Sequence, residues 1–249
     1  MIRGLYSAAS GMLVGMARQD VWSNNLANAQ TPGYRQDEAA LRSFPEALLR
    51  RYEATTPAGA VIGTVGQGAD VAAVHTSDLP GRLVQTEDRL DVALEGEAFL
   101  AVATNAGIRY TRHGRMQLDP DGYLISAAGG RVVGRDGAAI YVGSGNDPVI
   151  ATDGMITVDG ELAGQIGLWR FANVAALRKQ GDNYYAPVAA LPSEGETLIR
   201  QGMLELPNTD MVTAMTEMMS IMRAYEASQR ALQSQDQTLD KAVNEIGRV

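Results

Sequence analysis

The sequence predicts an α+β protein in which N- and C-terminal helices pair as an antiparallel coiled coil and the middle forms an antiparallel all-β domain. Three observations carry that prediction. Apolar residues recur at heptad spacing at both chain ends, short apolar alternations separated by Asp-Gly turns fill the middle, and a stripe of glycines runs along the first helix.

At the N-terminus Ile2, Leu5, Ala9, Met12, Met16, Gln19, Ser23 and Leu26 keep alternating three- and four-residue steps, the seam of a coiled-coil helix. At the C-terminus Met211, Met215, Met218, Met222, Tyr225, Gln229, Leu232, Asp236, Leu239, Val243 and Ile246 keep the same spacing. This second helix is expected to begin in "LPNTDM", where Pro207 ends the preceding segment and Asn208, Thr209 or Asp210 caps the first turn. Arg248 suits its negative dipole end. A chain that leaves along one helix and returns along the other pairs them antiparallel. In the register where residue numbers sum to 248, Ile2 meets Ile246, Leu5 meets Val243 and Gln19 meets Gln229. Residues 1–52 carry six basic and four acidic side chains, and residues 205–249 carry four basic and seven acidic, so the charges are mildly complementary.

Gly4, Gly11 and Gly15 need a separate reason, because each glycine in a helix costs about 1 kcal/mol relative to alanine. With Ser7 or Ala8 they form a stripe displaced around the helix from the seam. Such a stripe admits a close neighbour, so the seam is expected to face one partner and the stripe another. A coil this short, rich in Ala and Met and interrupted by polar layers, is marginal alone and calls for further partners.

The middle is organised by turns. Residues 51–70, "RYEATTPAGAVIGTVGQGAD", show no helical period and read as an extended connector. Between Val71 and Glu205 short apolar runs alternate with turn signals, and the Asp-Gly pairs at Asp121, Asp136, Asp153 and Asp159 favour hairpins. The expected division is 1–35 with 207–249 as the terminal coiled-coil domain, 36–70 as the connector and 71–206 as the β-rich domain.

Composition excludes several functions. A net charge of -8 and a pI near 4.8 argue against a nucleic-acid partner, which demands a dense basic face. No membrane span is expected, since no apolar run reaches about 18 residues. The stretch Leu5 to Ala17 is too diluted by serine and glycine, with no small-x-small site after it, to read as a cleaved signal. Zero cysteines remove disulfides and thiolate metal sites. His75 and His113 are the only histidines and lack ligand spacing, and Asp119 with Asp121 lacks the closing glutamate of a calcium loop. No metal, cofactor or catalytic residue is expected, and the chain does not read as an enzyme.

The motifs "SAASGM", "NNLANAQTPGYR", "GEAFLAV" with "YTRHGRMQLDPDGYL", and "QGMLELPNTDMVTAMTEMMSIMRAYEASQRAL" span nearly the whole chain. In them the sequence resembles the bacterial flagellar axial proteins that form the rod and hook. The resemblance implies a structural rod subunit that self-assembles through its terminal helices into a tubular axial structure transmitting torque. The chain is too short for the extra outer domains of a hook protein, and it looks like a proximal-rod component. Its implied partners are other flagellar rod and hook proteins, copies of itself, and the flagellar type III export apparatus; its implied place is the basal body, reached without a cleaved signal peptide. The implied assembly interface is Ile2, Gly4, Leu5, Ala9, Gly11, Met12, Gly15, Met16, Leu26, Met215, Met218, Met222, Tyr225, Leu232, Leu239, Val243 and Ile246. The motif turn is Asn24, Asn25, Asn28, Thr31, Pro32, Gly33 and Tyr34, where Thr31 before proline leaves the helical region and Gly33 admits positive φ. The alternative is a coiled-coil-stalked adhesin or carbohydrate-binding module that uses Trp169, Tyr184 and Tyr185 as exposed aromatics.

Overall fold

The computed structural model describes residues 2–53, 56–143, 147–172, 177–188, 192–195 and 197–244, with the backbone alone for residues 2–3, 52–53 and 56–59. They fall into two compact units, one of Met1–Leu26, Asp37–His75 and Met211–Val249, the other of Ala27–Gln36 and Thr76–Asp210.

The first unit carries both helices. Helix α1 spans Ile2–Ala27 and α2 spans Met211–Asn244, the latter without a glycine or proline along its 34 residues. Asp210 stands at the N-cap position of α2. Asn208, a candidate for that role, has its side chain committed elsewhere: Oδ1 accepts from Gln36 N–H at 2.7 Å, and Nδ2 donates to Leu79 O at 3.0 Å.

The glycine stripe faces α2. A Cβ added to Gly4, Gly11 or Gly15 would lie 3.1, 3.2 and 3.5 Å from side-chain atoms of Gln235, Ser228 and Tyr225. Partners fall in number as the glycines rise, so the helices run antiparallel. The expected register is not the one adopted: Gly4 with Gln235 and Gly11 with Ser228 sum to 239, and Gly15 with Tyr225 to 240, so Gln19 does not face Gln229. The reason is volume, since the hollows over the glycines leave room for the Gln235, Ser228 and Tyr225 side chains. Ile246 and Arg248 lie outside the described residues, as does the side chain of Ile2.

On α2 the residues withdrawn from solvent include Met211, Ala214, Met218, Ile221, Tyr225, Ser228, Leu232, Gln235, Leu239 and Ala242. Their steps alternate between three and four, as a helix seam requires. One expected column, Met211, Met218, Tyr225, Leu232 and Leu239, is kept. The other is displaced by one residue: Ala214, Ile221, Ser228, Gln235 and Ala242 turn inward, while Met215, Met222, Gln229, Asp236 and Val243 stay exposed. Of this inward column, Ser228 lies over Gly11 and Gln235 over Gly4.

The segment read as a connector carries strands β1 (Asp37–Ser43), β2 (Ala47–Glu53), β3 (Thr56–Val65) and β4 (Ala69–Thr76). β1 pairs with β4, and β2 with β3 in an antiparallel hairpin.

In the second unit the strands are β5 (Leu83–Gln85), β6 (Val92–Glu95), β7 (Phe99–Thr104), β8 (Gly107–Thr111), β9 (Met116–Leu118), β10 (Leu124–Ser126) and β11 (Arg131–Val132), followed by β12 (Val149–Ile150), β13 (Met155–Val158), β14 (Glu161–Gln165), β15 (Leu168–Arg170), β16 (Leu177–Lys179), β17 (Tyr185–Pro187), β18 (Ser193–Glu194), β19 (Leu198–Gln201) and β20 (Met203–Glu205). Pairing is antiparallel throughout. The largest sheet among the described residues runs β16-β17-β8-β7-β11-β10-β9, with β15 joining β7 to β18; β12-β13-β14, β19-β6 and β20-β5 form smaller ladders. All four Asp-Gly pairs stand at reversals of direction: β9 to β10, the Val133–Ala139 bridge, β12 to β13, and β13 to β14. One core gathers Val92, Leu94, Leu100, Met116, Ile156 and Ile199; a second is built on Phe99, Tyr110, Phe171 and Tyr185. Its rings meet edge to face at 4.8–5.7 Å, the arrangement that brings positive edge to negative face.

Gly15 gives a direct test of this contact. Alanine there makes an ordinary contact with Tyr225 and gains up to about 1 kcal/mol of helix propensity. Leucine drives into the Tyr225 ring and costs about 1–3 kcal/mol by overpacking. Denaturant melts followed by circular dichroism separate the two, and a Gly15→Leu protein as stable as Gly15→Ala would show that the helices do not touch there.

Candidate functional site

Two arrangements stand out, and each lies within one unit. The first is the motif turn with the partners it acquires in the second unit. Past the end of α1 the Asn28 carbonyl accepts from Thr31 N–H at 3.0 Å and the Thr31 carbonyl from Tyr34 N–H at 3.2 Å, while Thr31 Oγ1 donates to Asn28 Oδ1 at 3.2 Å. Gly33 has φ 66°, and a Cβ there would stand 2.3 Å from the carbonyl oxygen of Arg112. Only glycine fits this position. Its N–H donates to Glu205 O at 2.7 Å, and Asn183 Nδ2 donates to Pro32 O at 3.0 Å. Tyr34 is buried, with Lys179 Nζ 4.3 Å from the centre of its ring and donating to Arg35 O.

Glu205 lies at the centre, with its side chain 2% exposed between Arg35 and Arg112, which are 8% and 2% exposed. Its Oε1 accepts from Arg35 Nη2 at 3.0 Å and from Gly81 N–H at 2.9 Å. Its Oε2 accepts from Arg112 Nε at 2.8 Å. Arg112 spends its remaining donors on the carbonyls of Leu94, Gly96 and Ala98, and Arg35 Nη1 donates to Asp78 O. Burial holds the Arg35 pKa below its usual value; Glu205 opposes that shift and the Arg112 charge adds to it. The result is a clasp in which one carboxylate joins the turn before β1, the loop at Gly81, the end of β8 and the last residue of β20. Beside it a cavity of about 380 Å³ is lined by Asn28, Thr31, His113 and Asn183. Burial, and after it the Arg115 charge, depresses the His113 pKa; His113 Nδ1 accepts from Arg115 N–H at 3.3 Å.

The second arrangement is in the helical unit. Asn25 is 0% exposed and holds Asp37 by both backbone groups: Nδ2 donates to Asp37 O at 2.8 Å, and Oδ1 accepts from Asp37 N–H at 2.9 Å. Asn24 is exposed. Of the expected interface, Leu5, Ala9, Gly11, Met12 and Leu26 are half-buried, Gly15 is buried, and Gly4 is exposed. Met16 is exposed beside Leu13 and Tyr6 on α1, and Met215 and Met222 are exposed beside Val212 and Met219 on α2. Among the described residues no group of three His, Asp or Glu side chains is placed to hold a metal.

Two of the three aromatics of the adhesin alternative are buried. Tyr185 is 1% and Tyr184 7% exposed, the first packed on Phe99 and the second bonded to Ser126 Oγ at 2.5 Å, and Trp169 is half-buried. The sequence reading also missed Glu205, Arg35 and Arg112 as a group. Glu205 sits between Leu204 and Leu206, a pattern that reads as a solvent-facing strand position, and no signal in a single sequence pairs it with arginines 93 and 170 residues away.

Three family models match the chain: "Flagella basal body rod protein" over residues 5–35, "Flagellar hook protein FlgE/F/G D1 domain" over 93–162, and "Flagellar basal body rod FlgEFG protein C-terminal" over 200–245. The first and last enclose the motif turn and the strand of Glu205. Similar proteins include the flagellar hook-basal body complex protein FlhO of Bacillus subtilis, 34% identical over the full length of both chains. The flagellar basal-body rod protein FlgG of the same organism is 30% identical over 98% of this chain and 99% of its own. FlgF of Caulobacter vibrioides is 29% identical over 96% and 99%.

Two outcomes follow from the clasp. Glu205→Gln leaves two buried guanidiniums without a counter-charge and costs about 3–5 kcal/mol in urea denaturation. Adding Arg35→Met recovers part of that loss, so the double variant is more stable than the sum of the singles, and strict additivity would show that the charges do not interact. A His113 pKa lowered from 6.5 means that the folded chain resists protonation. The stability contributed by the neutral ring is therefore fully present above pH 6.5 and is lost as pH falls from there through the folded pKa. His113→Gln flattens that part of the Tm–pH curve; an unchanged curve would refute the assignment.

Proposed function

This chain belongs to the flagellar basal-body rod protein family as a structural subunit of the rod, and we propose that it builds the rod by packing its terminal helices, as a coiled coil, against copies of itself and related rod and hook proteins. The observation that carries the reading is likeness along the entire chain, 34% identity in an alignment that spans both proteins. The rod is tubular in this proposal, and it transmits torque.

The helix faces support the proposal physically. α1 meets α2 with its glycines opposite Gln235, Ser228 and Tyr225, while Tyr6, Leu13, Met16, Val212, Met215, Met219 and Met222 remain exposed. Methionine is unbranched and polarizable, so it adapts to neighbours that are similar but not identical. The seam residues Leu5, Ala9, Met12, Leu26, Met218, Tyr225, Leu232, Leu239, Val243, Ile2 and Ile246 belong to the same proposed interface, and the motif turn serves as the junction from helix to β unit.

Uncleaved export through the flagellar type III apparatus is part of the proposal. Its support is that Gly4, Gly11 and Gly15, which cleavage of the N-terminus would remove, lie against α2. No helix among the described residues is long and apolar enough to cross a membrane. We assign the chain to the proximal rod, and the rod rather than the hook is supported by its likeness to proteins named flagellar basal-body rod protein over 96–98% of this chain.

Replacing Met215 and Met222 together by glutamate tests the reading. Both side chains are about half exposed, so the isolated protein keeps its melting temperature, as surface changes do. Assembly is lost, and cells carrying only this variant do not swim. Normal swimming would exclude this face from the rod.

A further inference from the structure

The exposed methionines of the helical unit are a reactive group as well as an apolar one. Met215, Met219 and Met222 follow one another on α2 at steps of four and three, which sets them on one face. They are 47%, 53% and 48% exposed, and Met16 on α1 is 52% exposed. Met116, in the core of the β unit, is 0% exposed, and Met12, Met203, Met211 and Met218 are half-buried. The chain has 11 methionines and no cysteine. A thiolate, the group that oxidants ordinarily reach first, is therefore missing, and the thioether is the soft nucleophile that this surface offers in its place. Met155 on β13, 40% exposed, presents the same chemistry away from the helices.

We propose that Met215, Met219 and Met222, with Met16, are a site of reversible oxidation to methionine sulfoxide, and that the oxidised chain does not enter the rod. The oxidant is a peroxide. A sulfur lone pair takes one oxygen of hydrogen peroxide as the O–O bond breaks; the sulfur gives up two electrons, and the other oxygen leaves as water. Each event turns a flexible apolar side chain into a polar one with a strong acceptor oxygen. Burying that oxygen against an apolar neighbour that offers no donor is unfavourable, so a face that packs as thioethers is rejected as sulfoxides. Sulfoxide reductases restore the thioether. Their thiols come from another protein, since this chain has none. The effect on assembly rests on the rod-subunit reading; the order in which the methionines react does not.

Hydrogen peroxide added to the purified, unassembled full chain, followed by mass mapping of its peptides, adds one oxygen each at Met16, Met215, Met219 and Met222. Met116 reacts only when the core opens, at least about tenfold more slowly. Methionine sulfoxide reductases A and B together remove the added oxygens. Oxidation of Met116 at the same rate, or α2 methionines spared, overturns the site. For assembly, Met215→Gln, Met219→Gln and Met222→Gln together place neutral polar groups on this face, and cells carrying only that variant do not swim. The same three positions as leucine keep the apolar character and nearly the volume, and those cells swim. Met155→Gln swims as well. Equal swimming of the glutamine and leucine variants overturns the block on assembly. So does a leucine variant that fails to swim, because shape and not added oxygen then decides the fit, and so does sulfoxide at these positions in chain recovered from basal bodies built during peroxide exposure. Normal swimming of the glutamine variant beside a motionless Met215→Glu, Met222→Glu strain strikes this inference and leaves the rod reading standing. Swimming of both removes the shared face from the rod, while the peroxide mapping is decided on its own.

Discussion

One buried carboxylate holds the β unit closed where the chain enters and leaves it. Removing two guanidiniums and a carboxylate from water costs several kcal/mol per ion, and hydrogen bonds to their other donors and acceptors offset that cost. Here Arg112 finds three backbone carbonyls, Glu205 finds a backbone N–H, and Gly33 N–H reaches the Glu205 carbonyl. Asn208 adds bonds to Gln36 and Leu79. The segment after α1 and the segment before α2 are thus fixed to each other rather than left as independent strands. The two family signatures, "TPGYR" and "LELPN", therefore describe one structure. Each supplies the polar partners that the other would otherwise lack in a buried place.

Much of this was legible in the sequence, for reasons that are local. Helix period, the Thr31-Pro32-Gly33 stop and the four Asp-Gly reversals follow from backbone sterics and side-chain spacing within a few residues. What escaped was set by contacts between distant segments. The clasp needs three charged residues that share no local pattern, and Glu205 is disguised by its flanking leucines. Similarly, the α2 seam was read from its largest side chains. The packing kept one column of large residues and turned Ala214, Ile221, Ser228, Gln235 and Ala242 inward in place of the other. A rule that favours big apolar residues at a seam fails where the partner helix has no side chains to interlock with. The strands of residues 37–76 were also not legible, since an alanine-, glycine- and threonine-rich stretch carries little alternation to mark its pairing.

Asn25 shows how a motif residue can act without any chemistry. A primary amide can present one N–H and its oxygen on the same edge, as a residue of a neighbouring strand does, so a buried asparagine extends a ladder where no strand is available. Aspartate would meet the Asp37 carbonyl with an acceptor, and leucine would leave two backbone groups unpaired in a place without water. That a residue so often found in loops is wholly buried here follows from this mimicry.

The spacing of the α1 glycines raises a question of alignment. Gly4 and Gly11 are seven residues apart, as are their partners Gln235 and Ser228, so sliding one helix by a heptad, about 10 Å, offers an equivalent fit at that end. Tyr225 breaks the degeneracy. Its ring rests over Gly15, and a slip in either direction would set it on Ala8 or on Trp22, where the hollow is gone. In a pair made smooth enough to glide, a single tyrosine acts as the key and a single glycine as the only lock it enters.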